Sequence, residues 1–90
     1  MTEIRLEQTC IACPEQYDAF IGDRQVGYLR LRHGNFTVEY PDVFGTLVYQ
    51  ANTKGDGMFE EEERDYHLDR AKAAITMALM LEWLLSLSQQ

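Results

Sequence analysis

Between Gln25 and Tyr40 apolar and polar residues alternate in two runs, Gln-Val-Gly-Tyr-Leu-Arg-Leu-Arg-His and Phe-Thr-Val-Glu-Tyr, on either side of Gly34-Asn35. Alternation with a period of two around a Gly-first dipeptide predicts a β-hairpin closed by a two-residue type II′ turn. That turn pairs His33 with Phe36, Leu31 with Val38 and Leu29 with Tyr40 on an apolar face. Arg32 with Thr37 and Arg30 with Glu39 share the opposite, charged face.

The chain on either side continues the pattern. Residues 3–9 alternate so that Ile4 and Leu6 point inward while Glu3, Arg5 and Glu7 point outward, which predicts an edge strand. Pro14 has no N–H for a ladder and ends that strand. Residues 15–21 form the next one, returned by Gly22-Asp23-Arg24. A three-residue loop there sends Tyr17, Ala19 and Ile21 to the core and pairs Asp18 with Arg30; a two-residue loop inverts those faces. The former is preferred, because it builds an Asp18, Arg30, Glu39 row across three strands. Pro41-Asp42 interrupts the ladder, and residues 43–51 supply a fifth strand.

From about Glu60 the period changes to that of a helix reaching residues 87–88, with Glu60 to Glu63 and Asp65 in the turns where the positive end of the helix dipole favours acids. Leu68, Ala71, Ile75, Ala78 and Leu79 make a stripe for packing on a sheet. Ala73, Met77, Met80, Leu84 and Leu87 make a second stripe on another side. About 28 helical residues span ~42 Å, whereas an eight-residue strand spans ~26 Å, so the helix overhangs its sheet. The predicted architecture is α+β: an antiparallel meander of about five strands (1–51), a loop (52–59) and one long C-terminal helix (60–88) across one face, in a single domain.

Composition narrows the roles open to this fold. Ninety residues, 46% hydrophobic, hold one core without disulfide staples. A formal charge of -7 repels phosphate backbones and anionic lipid. No basic start, apolar run and cleavage site open the chain, so a cytoplasmic location is expected. Two cysteines in a reducing compartment are expected to be free thiols. From Met77 to Leu85 only Glu82 is charged. That run is read as too short and interrupted to span a bilayer. It predicts an interface at Met77, Met80, Leu81, Leu84 and Leu87, for a second copy or another protein.

Residues with chemical potential are few. Asn52 to Glu63 resembles the calcium loop of the EF-hand family, with Asn52, Lys54 and Asp56 at its first, third and fifth places, Gly57 at the sharp turn and Glu63 at the bidentate twelfth. The resemblance implies Asn52, Asp56 and Glu63 as metal ligands, but Lys54 puts a cation where an oxygen belongs, and a strand precedes the loop instead of a helix. A glycine turn before an acidic helix start is the competing reading. Cys10-x-x-Cys13 is half of a tetrahedral zinc site that His33 and His67 would have to complete, without the spacing of a second half. His33 is read as a rim residue and His67 as a solvated helix residue. No nucleophile, phosphate-binding loop or paired acid and base stands at a catalytic spacing, so enzymatic activity and a resident cofactor are not expected. Tyr28, Arg30 and Arg32, near Phe20 and Arg24, form a basic and aromatic sheet face that could bind nucleic acid, although Asp18 and Glu39 offset part of its charge.

The stretches Cys13 to Asp18, Val26 to Gly34 and Gly55 to Gly57 are similar to a group of short uncharacterised bacterial and phage-type reading frames, a resemblance that implies no activity or site. Phe36-Thr37-Val38-Glu39-Tyr40-Pro41-Asp42 and the helix after it resemble antitoxin domains of the HicB type, which bind a small toxin. The reading that unites these features is a small non-catalytic interaction module, self-associating through its apolar helix. Calcium or another ligand in the 52–63 loop, and nucleic acid on the sheet face, are the alternatives.

Overall fold

The computed structural model describes residues 3–10 and 14–88. Five strands, β1 (Arg5–Cys10), β2 (Glu15–Ile21), β3 (Arg24–Arg32), β4 (Asn35–Tyr40) and β5 (Thr46–Asn52), form one antiparallel sheet in sequence order, and α1 (Glu61–Ser88) crosses one face. This is the expected α+β meander. The molecule measures 45 × 24 × 24 Å, elongated by the helix.

The central hairpin keeps its predicted faces but changes its turn. Arg32 pairs with Asn35, Leu31 with Phe36 and Leu29 with Val38, so the loop is His33-Gly34. Both residues have positive φ, 52° and 71°, as a type I′ turn requires. The turn sits one residue earlier than Gly34-Asn35, which changes each pairing by two and preserves which side chains share a face. Leu29, Leu31, Phe36 and Val38 are fully buried and Tyr40 nearly so.

The β2–β3 connection is a two-residue Gly22-Asp23 loop followed by a bulge at Val26, between the pairs Phe20↔Gln25 and Ala19↔Gly27. The bulge restores the parity that so short a loop would invert, and Tyr17 and Ala19 face the core. Asp18 consequently pairs with Tyr28, and Arg30 with Gln16 and Thr37. The expected Asp18, Arg30, Glu39 row is therefore Asp18, Tyr28, Glu39. β5 starts at Thr46 instead of residue 43, because Pro41 to Gly45 closes a turn in which the Gly45 N–H donates to the Asp42 carbonyl at 2.9 Å. A second bulge, at Val48, lets Val48 and Tyr49 both pack against the core.

Helix α1 packs over β3, β4 and β5. Ala71 and Ile75 are fully buried, with Leu68, Ala78 and Leu79 against the core beside them, as the first stripe predicts. The close approach occurs at Gly27: a Cβ there would lie 2.5 Å from Ile75 Cδ1 and 3.3 Å from Ala19 Cβ. Gly27 and Ala19, paired across β2 and β3, make the shallow saddle that seats Ile75. Gly27→Ala should overpack this saddle and lower stability by about 1–2 kcal/mol, read as a lower urea midpoint with an unchanged m value.

Candidate functional site

The helix is fixed at its N-terminal end by two buried glutamates. Glu63 accepts the backbone N–H groups of Lys54 (2.9 Å), Gly55 (2.8 Å) and Glu60 (2.9 Å). The bond back to Glu60 is half of a capping box, with Glu60 at the N-cap. Glu15, at the start of β2, accepts the Phe59 N–H at 3.0 Å, a two-pronged contact from Arg64 at 2.9 and 3.2 Å, and the Tyr17 hydroxyl. These bonds tie sheet, loop and first helical turn together.

Electrostatics follow from that bonding. Burial pushes the Glu15 carboxyl upward, but Arg64, the Tyr17 hydroxyl and the Phe59 amide outweigh it and hold it below the ordinary carboxylate value of 4.5. Burial likewise opposes ionisation of Glu63, and the amides of Lys54, Glu60 and Gly55 with the charge of His67 reverse it. Tyr17, buried and bonded to Glu15, is pushed up to about 12. His67 is buried, contrary to the solvated position expected of it: its ring stacks on Phe59 at 5.3 Å, and Nε2 lies 3.5 Å from Glu63.

This bonding bears on the calcium-loop resemblance. Glu63 turns both carboxylate oxygens to amide N–H groups, the opposite of what a cation demands of its twelfth-place ligand. Asn52 is an exposed strand residue paired with Asn35, and Asp56 is exposed, its carbonyl accepting the Gly34 N–H at 2.7 Å. The loop is a strap across the end of the sheet, with Thr53 N–H donating to Gly34 and Gly57 accepting from the Glu15 N–H. Among the described residues no three His, Cys, Asp or Glu side chains are grouped around a metal position. Cys10 is a half-buried free thiol, Cys13 lies outside the described residues, and His33 is exposed at its turn.

The outer sheet face places Arg30 and Arg32 beside Asn35, Thr37 and His33 around a shallow depression of about 300 Å³. Neither arginine makes an ion pair among the described residues. Tyr28 stands between Asp18 and Glu39. Asp18 is pushed up by burial and by the facing Glu7 carboxylate. The Arg5 guanidinium lies 5.0 Å from the Phe20 ring centroid, so that ring face is already engaged. Two arginines flanked by an acidic row make a weak stacking platform.

The far end of α1 is different. Glu82 accepts from the Tyr40 hydroxyl at 2.9 Å and from Arg24 at 3.4 Å, the last side-chain bonds between sheet and helix. From residue 80 to 88 every side chain is exposed. Met77 (69% exposed), Met80, Leu81, Leu84 and Leu87, all predicted interface positions, lie there with no partner in the fold, as does Ala73 one turn before. Trp83 and Leu85 are exposed as well but lie off that stripe, beside Glu82 on the flanks that face the end of the sheet. The 77–85 run alone is too short to span a bilayer, but an 18-residue window of α1 with mean hydropathy 1.3 is long and apolar enough to cross a membrane by length and composition. Ala71 and Ile75, however, are buried on the sheet, and Glu82 is held by Tyr40 and Arg24. Phe44, 94% exposed, projects from the β4–β5 loop that follows Tyr40.

Comparison with protein-family models, curated proteins and solved structures finds no match for the chain.

Two outcomes follow for the anchored end. Both glutamates are held below 4.5, so the stability they contribute is fully present above that pH and is lost as pH falls through their folded-state values. Glu63→Ala should therefore cost roughly 3 kcal/mol at neutral pH and flatten the acid limb of a stability profile, while Glu62→Ala, at an exposed position, stays within about 0.5 kcal/mol. Calcium at millimolar concentration, or its removal by chelator, should leave the unfolding midpoint unchanged in scanning calorimetry.

Proposed function

We propose that this chain is a small non-catalytic interaction module that self-associates through the exposed second half of α1. The observation that carries the reading is the inversion of the helix beyond Ala73. Its outward face changes from Glu62, Asp69 and Arg70 to Met77, Met80 and Leu84, while the polar Glu82 turns toward the sheet. A solvated helix end shows the reverse pattern. Met77, Met80, Leu81, Leu84 and Leu87 are each 46–69% exposed, and a contiguous apolar face rimmed by polar residues is the mark of an interaction surface.

Bilayer insertion of the same helix is the second reading, favoured by its length and hydropathy. It would require stripping Ala71 and Ile75 from the sheet and exposing the core beneath them to water.

Leu84→Glu separates association from folding, since Leu84 touches nothing in the core. Light scattering should show the wild-type chain at twice 10.5 kDa and the variant at 10.5 kDa, with unchanged far-ultraviolet circular dichroism. A wild-type mass of 10.5 kDa at high micromolar concentration refutes the reading.

A further inference from the structure

Resting on the self-association reading, the spacing of the exposed residues says how two copies would meet. Ala73, Met77, Met80, Leu84 and Leu87 follow one another at alternating steps of four and three, the heptad seam of a two-helix coiled coil. Three residues before Ala73, and four before that, the seam continues through Arg70 and Tyr66, both exposed. The sheet covers the opposite side of the helix, at His67, Ala71 and Ile75, so nothing in the fold obstructs the seam. The positions flanking its apolar part, Ala74, Thr76, Leu81 and Trp83, carry no charge. The flanks therefore leave direction unspecified, and the ends of the seam decide it.

We infer that two copies pair their α1 helices antiparallel, with Met77 opposite Met80, Ala73 opposite Leu84, and Arg70 beside Leu87 of the other copy. Parallel pairing would stack Arg70 on Arg70 and bring the two acidic first turns, Glu61 to Glu63, level with each other in a chain that already carries -7. Antiparallel pairing separates Glu62 from its counterpart by roughly 50 Å along the helices, several Debye lengths at physiological salt. It also answers a local deficit: the last turn of α1 has no basic residue, and its carbonyl end carries negative partial charge. In this register Arg70 of one copy reaches the last turn of the other. Ala73 against Leu84 sets a small side chain opposite a large one, and Met77 against Met80 places two adaptable side chains at the centre of symmetry. The two sheets then lie on opposite outer sides of the helix pair.

The test is spin-label distance measurement on the full chain with Cys10→Ser and Cys13→Ser, labelled at Glu62→Cys, outside the apolar seam. The antiparallel pair predicts about 50 Å between labels, a parallel pair about 15 Å. A second label, at Leu87→Cys, should give about 25 Å in the antiparallel register and about 10 Å in a parallel one. Unchanged circular dichroism confirms that each labelled chain is folded. Short distances at both positions in a chain of dimeric mass overturn the antiparallel geometry and leave self-association standing. A monomeric mass for the unlabelled wild type, or its sedimentation as a monomer with neutral phosphatidylcholine vesicles, overturns both.

Discussion

A mismatch of lengths governs this molecule. Helix α1 has 28 residues, while the longest strand beneath it has nine, so about 42 Å of helix lies on a sheet only ~30 Å long. The helix is not free to slide and share the excess between its ends. Glu63 and Glu15 lock its first turn to the loop and to β2, and Ile75 is seated at Gly27. All of the excess therefore emerges at the other end, past the Tyr40–Glu82 bond.

The outward faces of the two halves of the helix also differ in kind. The first half is charged outside and apolar inside, and buries two ionisable side chains, Glu63 and His67. The stacking of His67 on Phe59 and its edge contact with Phe36 show that the imidazole serves as an aromatic core element. The second half is apolar where it meets water. An exposed apolar surface is stabilised by removal from water, and the proposed pairing with a second copy would supply that removal without disturbing the packed half.

Much of this is legible in the residues. Face assignments in the hairpin survive the displaced turn because the pairing changes by two, which alternation cannot register. The turn itself is obscured because His33 occupies a left-handed position better suited to Asn or Gly. The β2 faces are legible and the Asp18 partner is not, since a bulge at Val26 leaves no signature beyond Gly27. Both helical stripes, and the overhang, follow from spacing and length alone. The glutamate anchors do not: an acidic first turn has the same composition whether its side chains face solvent or fold back onto amides, and Glu15 meets Arg64 only through the tertiary fold. At residues 52–63 spacing alone does not separate a carboxylate that closes a loop by accepting N–H groups, as Glu63 does, from one that ligates a cation.

Burial of the outward apolar face of α1 by a second copy is measured by sedimentation equilibrium of the wild-type chain across a wide concentration range, with emission of the single Trp83 followed on the same samples. The mass is expected to shift reversibly from 10.5 kDa toward twice that value, with a blue shift as Trp83 leaves water. A constant 10.5 kDa with unchanged Trp83 emission would contradict it.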